Sequence, residues 1–152
     1  MSRPDADEYF MKMVDLVSSR TTCLRRRVGA VLVKDGHVIS TGYNGAPRGL
    51  KHCEEVGCIR EQMKIPSGER HELCRAVHAE QNAVIQAAYH GIATKGATLY
   101  TTGWPCTMCS KIIINAGIEE IVFRDDNYND PLSKEILKES GIKMRKYGES
   151  CK

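Results

Sequence analysis

Two short stretches constrain the chain more than any other and have to be read together: His78-Ala79-Glu80 and Pro105-Cys106-Thr107-Met108-Cys109. An imidazole and two thiolates are three donors suited to zinc. Three donors leave the fourth tetrahedral position open for water, as in a catalytic site and unlike a closed structural one. Glu80 is not needed as a ligand, so its carboxylate is free to move protons. A lone Cys-x-x-Cys is weak evidence, but paired with His-x-Glu it is strong. The fold must therefore bring two distant segments to one point.

Each segment reads as the opening of a helix. Ala76 to His90 has helical spacing, with Val77, Val84, Ile85 and Ala88 as its apolar face and Gly91 as its stop. Cys106 to Ala116 is a second helix, with Pro105 at its mouth and Gly117 at its end. Cys106 and Cys109, spaced i and i+3, project from one face. In a first turn, the unpaired N–H groups and the helix dipole favour thiolates.

The remaining periodicity supplies a framework. Asp5 to Arg20 reads as an amphipathic helix whose face is Tyr9, Phe10, Met13, Val14 and Val17. Val28 to Val33 and Val38 to Tyr43 are β-branched runs around the turn signal Asp35-Gly36, which predicts a hairpin. The loop Asn44 to Gly49 has the glycine and asparagine that permit close backbone approach to a ligand. Ala97–Thr102, Ile121–Phe123 and Ile142–Tyr147 read as strands, and Pro131–Ser140 as a helix. The order predicts an α/β protein: a three-layer α/β/α sandwich with a mixed sheet of about five strands. Leu50 to Arg75 has no sustained period, and a long irregular stretch in a compact domain needs something to pin it. Metal is the evident pin, which makes about 50–75 a metal-pinned insertion.

The chain of 152 residues suits one domain, 1–152, large enough to bury roughly 70% of its unfolded surface. Its formal charge of +3 and pI of about 8.5 suit anionic small molecules rather than a polynucleotide groove. The acidic start, Met1 to Glu8, has no apolar core of a secretory signal, and no run is long enough for a membrane span. Seven cysteines without an export signal point to a reducing compartment and to metal binding, so a cytoplasmic protein is expected.

The chemistry follows from the residue types. Zinc held by His78, Cys106 and Cys109 lowers the pKa of bound water to about 7. Glu80 accepts the water's proton, delivers it to the ring nitrogen beside an amino-bearing carbon, and protonates the departing ammonia. The alternative is a satisfied core histidine beside half of a structural zinc site, which has no use for Glu80. The pattern is the signature of zinc-dependent nucleobase deaminases.

Beyond that pattern, the chain resembles the deoxycytidylate (dCMP) deaminase family of the cytidine deaminase fold superfamily. The resemblance rests on Val28-Gly29-Ala30-Val31, Gly42-Tyr43-Asn44-Gly45, His78-Ala79-Glu80-Gln81-Asn82-Ala83 and Pro105-Cys106-Thr107-Met108-Cys109. These occur in the family's order and approximate spacing, over about Tyr9 to Tyr147. The resemblance implies a hydrolase that converts dCMP to dUMP and ammonia, supplying the thymidylate pathway, with zinc and no organic cofactor. It implies that Asn44 contacts the sugar hydroxyl, that the backbone at Ala79 reads the pyrimidine edge, and that Trp104 offers its carbonyl to the amino group. Tyr128 would close over the nucleotide and Arg25 would hold the 5′-phosphate. As alternatives, Arg25-Arg26-Arg27 is a solvated basic stretch, and Trp104 and Tyr128 are core aromatics. The family also implies a homo-oligomer, commonly a hexamer, with dCTP and dTTP as allosteric effectors.

Cys23, Cys53, Cys58, His71 and Cys74 flank or occupy the irregular stretch. By resemblance, four of the five hold a second, structural zinc, and the choice between Cys23 and Cys58 stays open. The alternative is ordinary buried thiols. Cys151 reads as an exposed thiol without a role, and His37, His52 and His90 as surface residues. Two other functions compete: a deaminase of tRNA adenosine or a free nucleobase, and a non-catalytic zinc-stapled module that binds nucleic acid.

Overall fold

Strands β1 (Gly29–Lys34) and β2 (His37–Tyr43) form the expected hairpin. Asp35 and Gly36 between them both have positive φ, 51° and 75°, as a two-residue turn matched to strand twist requires. Strand β3 (Thr98–Gly103) pairs antiparallel with β1, whereas β4 (Glu120–Asp125) and β5 (Lys143–Lys146) continue parallel. The five-stranded mixed sheet has the order β2-β1-β3-β4-β5. The computed structural model describes residues 2–149, so the expectation for Cys151 lies outside the described residues.

Alternation along the strands separates two cores. Val31, Val33, Tyr100 and Val122 point to one side and pack with Phe10, Met11 and Val14 of α1 (Ala6–Ser18). Ala30, Leu32, Leu99 and Ile121 point to the other. There α4 (Ala79–Tyr89), α5 (Thr107–Asn115) and α6 (Pro131–Ser140) supply Ala83, Ile113 and Leu137 among others. The predicted three-layer sandwich is the observed architecture. Fully buried Leu32, Leu99, Ile113 and Ile121 each contribute about 1.5–3 kcal/mol of burial free energy.

Local expectations need four corrections. Asp5 is the N-cap of α1, accepting from the Glu8 amide at 2.8 Å, and Met11 replaces Tyr9 in the buried stripe. Helix α4 starts three residues later than expected and buries Ala79, Ala83 and Ala87, while Ile85 and Ala88 are exposed. The cause is close approach: a β-carbon on Gly42 of β2 would overlap the Ala79 carbonyl oxygen and the Ala83 amide nitrogen. Gly29 does the same for α1, since its β-carbon would overlap the Val14 carbonyl oxygen. Third, the stretch 50–75 is partly helical, with α2 (Cys53–Val56), α3 (Ile59–Gln62) and a 3₁₀ turn at His71–Leu73. Fourth, His52 is half-buried, its Nδ1 2.9 Å from the Thr22 hydroxyl and within reach of the Ala46 amide at 3.3 Å. His37 and His90 are exposed.

The last strand is tied to the first helix. Arg145 donates to Asp7 at 2.6 and 3.1 Å and to Glu120 at 2.5 Å, and the Tyr100 hydroxyl donates to Asp7 at 2.8 Å. No helix among the described residues is long and apolar enough to cross a membrane.

Candidate active site

His78 is the N-cap of α4 and Glu80 lies in its first turn; Cys106 is the N-cap of α5 and Cys109 lies one turn in. The two helix mouths converge as expected. His78 Nδ1 is 3.5 Å from Cys106 Sγ and 3.3 Å from Cys109 Sγ. A tetrahedral zinc with ordinary Zn–N and Zn–S bonds separates its nitrogen and sulfur donors by about 3.5 Å. The donor set and its spacing both fit that ion.

Local hydrogen bonds hold these donors. The His78 amide donates to the Gln81 side chain at 2.9 Å, closing the first turn of α4. At α5 the anchor is Asp130, the N-cap of α6, whose carboxylate accepts from the Ser133 amide at 3.1 Å. It also accepts from the Thr107 amide and hydroxyl, each at 2.8 Å, so one side chain braces two helix starts. Behind the cysteines, the Ser133 hydroxyl donates to the Pro105 carbonyl at 2.6 Å and accepts from the Trp104 indole at 2.9 Å.

Glu80 is buried, 6% exposed, and accepts from the Thr101 hydroxyl through Oε1 at 2.9 Å. Its Oε2 faces Cys109 Sγ at 3.7 Å. Burial pushes the Glu80 carboxyl above the ordinary carboxylate range, against the pull of its own backbone amide and of His78. The two cysteines share protons unevenly. Hydrogen bonding from Cys109, with His71 and His78 alongside, pulls Cys106 down strongly, and the same bond together with burial pushes Cys109 up. Burial works against a charge on His78, yet the Cys106 sulfur beside it lifts the imidazole above its usual value.

His71 also stands at this site. Its ring meets His78 edge to face at 5.0 Å between centroids, and one ring nitrogen lies within 4.8 Å of the donor atoms of His78 and Cys106. Burial pushes the Cys53 thiol up, and the charges of Cys23, Cys58 and Cys74 add to that. All four are free of disulfides; Cys53 and Cys58 are buried, Cys23 and Cys74 half-buried.

One cavity joins the two clusters. Glu80 and Cys106 line it, together with every residue expected to touch a substrate: Arg25, Asn44, Ala79, Trp104 and Tyr128. Asn44 is heavily engaged. Its Oδ1 accepts from the Val28 amide at 3.1 Å and from the Thr21 hydroxyl, and its Nδ2 donates to the Arg26 carbonyl at 2.8 Å. One amide hydrogen is left for a ligand. The Trp104 ring packs edge to face on Phe123 at 4.9 Å. The Tyr128 hydroxyl donates to the Gly68 carbonyl at 3.3 Å, and burial pushes its pKa up to about 12. Arg25 donates to the Ile65 carbonyl at 2.8 Å. Sequence reasoning missed Arg60, Arg26 and Ser67, which share the wall; the one signal for Arg60 was its place two residues after Cys58.

The family described as the cytidine and deoxycytidylate deaminase zinc-binding region matches residues 4–125. The chain is similar to a deoxycytidylate deaminase of Schizosaccharomyces pombe, 39% identical over 145 residues, 95% of this chain and 45% of that protein. It thus spans less than half the length of that relative. A deoxycytidylate deaminase of Mycobacterium phage D29 is 43% identical over 128 residues, 81% of this chain and 97% of the phage protein. Among solved structures, the dCMP deaminase of cyanophage S-TIM5 in complex with dCMP and dUMP superposes with a TM-score of 0.77 at 31% identity. That superposition covers 96% of this chain and 99% of the phage chain.

Proposed function

The chain belongs to the cytidine and deoxycytidylate deaminase family, and from that premise we propose that it hydrolyses dCMP to dUMP and ammonia. The observation that carries this reading is the meeting of His78, Cys106 and Cys109 at zinc spacing beside a buried carboxylate that needs no metal. Zinc held there lowers the pKa of water to about 7 and so supplies a nucleophile at neutral pH. Glu80 moves the protons. Thr101 fixes Oε1, which leaves Oε2 to take a proton from the water and pass it to the ring nitrogen beside the amino-bearing carbon. Once the water's oxygen has bonded to that carbon, the same carboxylate takes the remaining hydroxyl proton and gives it to the amino group, whose C–N bond breaks to release ammonia and leave the carbonyl of dUMP. The Ala79 backbone and the Trp104 carbonyl read the base, Asn44 takes the sugar hydroxyl, Tyr128 closes over the nucleotide, and Arg25 holds the phosphate. Their common position on the wall of one cavity supports these roles.

The reading gives the second zinc to Cys23, Cys53, Cys58 and Cys74, four free thiols that would together fill its coordination and pin the insertion at about 50–75. The position of His71 beside His78 supports leaving it out of that set. Free cysteines in such number support a reducing, cytoplasmic setting. The reading includes a homo-oligomer, a hexamer by resemblance, with dCTP and dTTP as effectors. Exposed Ile85, Tyr89 and Ile92 on and just beyond α4 support a buried contact there.

Ammonia release from dCMP, deoxycytidine and tRNA, measured side by side, tests the proposal. Release from dCMP that disappears in Glu80→Ala is the expected result. Release from tRNA alone, or none from any substrate, overturns it.

A further inference from the structure

Trp104, Pro105 and Cys106 run from the end of β3 into the mouth of α5, and the two outer residues line the cavity. Pro105 has no N–H, so the main chain cannot be anchored by a donor at its middle. A side chain does it instead. The Ser133 hydroxyl, on α6 and fully buried, donates to the Pro105 carbonyl at 2.6 Å and accepts from the Trp104 indole at 2.9 Å. An indole nitrogen only donates, and the one serine proton is committed to Pro105. The Ser110 hydroxyl, 2.9 Å away, is therefore a second donor to Ser133. Both lone pairs and the proton of Ser133 are thereby used.

Between the two tied points lies the Trp104–Pro105 peptide. A peptide is planar, so fixing its two ends fixes the direction of its oxygen, which is the Trp104 carbonyl. On the strand side, the Trp104 amide donates to the Asp125 carbonyl at 3.1 Å. The Trp104 carbonyl itself accepts from no main-chain donor among the described residues, which leaves it to the substrate's amino group. Asp130 sets the serine in turn, accepting from the Ser133 amide at 3.1 Å.

We propose that Ser133 is a positioning residue for the reaction, its hydroxyl aiming the Trp104 carbonyl at the amino group of the substrate. The inference rests on the deaminase reading and on the role given there to Trp104. It adds a residue that touches neither substrate nor metal. dUMP has an oxygen and no hydrogen where dCMP has its amino group, so a misaimed carbonyl slows turnover of the substrate and leaves affinity for the product unchanged. A Ser133 that only braced the fold would weaken both nucleotides alike, and one that only supported Cys106 would act through metal retention.

The test uses the purified protein as wild type, Ser133→Ala, Trp104→Phe and the double variant. Ammonia release gives kcat and KM for dCMP, calorimetry gives the dissociation constant of dUMP, and zinc is counted on the same samples. Ser133→Ala is expected to lower kcat roughly ten- to a hundredfold, the scale of a small misplacement at a reacting group. Zinc content and dUMP affinity are expected to stay at their wild-type values. Trp104→Phe removes only the indole tie, so a smaller loss is expected, and the double variant is expected to match Ser133→Ala. Trp104 is the only tryptophan in the chain, so the resonance Raman band of its N–H reads the tie directly. That band is expected to move to its unbonded position in Ser133→Ala. Equal losses in dCMP turnover and dUMP affinity, losses that track departing zinc, or single-variant losses that multiply in the double variant overturn the proposal. If Ser133→Ala does not fold, Trp104→Phe decides by kcat against dUMP affinity. An inactive wild type overturns the deaminase reading and this assignment with it, whereas an active one indifferent to Ser133 overturns the assignment alone.

Discussion

The Thr101 hydroxyl donates to Glu80 at 2.9 Å, joining a fully buried residue of the sheet to the carboxylate at the mouth of α4. The bond fixes one oxygen and leaves the other beside Cys109. The carboxylate is thus oriented from β3 as well as from its own helix.

Glu80→Gln is expected to keep zinc and lose about 10²–10⁴-fold in kcat on dCMP, the usual contribution of a positioned acid–base group. Thr101→Val removes one hydrogen bond to a charged group, worth about 1.5–3 kcal/mol, so a smaller loss of roughly ten- to a hundredfold is expected. Metal content measured on the same samples separates lost chemistry from a lost site. Full turnover by Glu80→Gln would remove the carboxylate from the mechanism.

Metal counting checks the two clusters separately. Two zinc ions per chain are expected in the wild type, one after Cys53→Ala and two after His71→Ala. Loss of an ion on removing His71 would make that imidazole a ligand and change the donor set.

Asp130 serves two helix starts at once, so Asp130→Ala is expected to cost about 1–2 kcal/mol in a urea titration, typical of losing strong N-caps. Because Thr107 lies between the two cysteines, weaker retention of the catalytic zinc under chelator challenge is expected too. Asp130→Asn, which keeps a side-chain acceptor, is expected to recover most of both.

Hydrogen bonding from Arg145 holds the Asp7 carboxyl below its ordinary value of 3.8. A depressed pKa in the folded state adds stability above the unfolded value and loses it as pH falls through the folded one. The stability gap between wild type and Asp7→Asn is therefore expected to be complete above about pH 4 and to close on further acidification. Both side chains are partly solvated, so its full size is about 1 kcal/mol. Thermal unfolding across pH 2.5–7 would show it; a gap that widened toward acid would contradict the assignment.

Much of this architecture was legible because local chemistry and tertiary demand agree. Asp35-Gly36 requires a tight hairpin, Pro131 and Gly141 bracket α6, and alternating Val and Ile predict two-sided strands. The donors His78, Cys106 and Cys109 were legible for the same reason, since each motif also opens a helix. Where the reading failed, the deciding neighbour was remote in sequence. The buried face of α4 is set by the close approach of Gly42, so alanines are taken inside and Ile85 is left in solvent. His71 is spaced from Cys74 like a ligand pair, and its ring also meets His78 edge to face, a neighbour that its spacing does not show. Arg60 is held on the cavity wall by Pro66 and Cys74, contacts that its place in the sequence does not show.

Gly29 and Gly42 sit on adjoining rungs of the β1–β2 hairpin, each in contact with the main chain of a different helix. At those places nothing deformable separates sheet from helix, because main chain rests on main chain. Interior side chains elsewhere can repack around a modest change in a neighbour while the mouth of α4 keeps its station. The tolerance ends at those two positions, where no neighbouring rotamer is able to absorb a change.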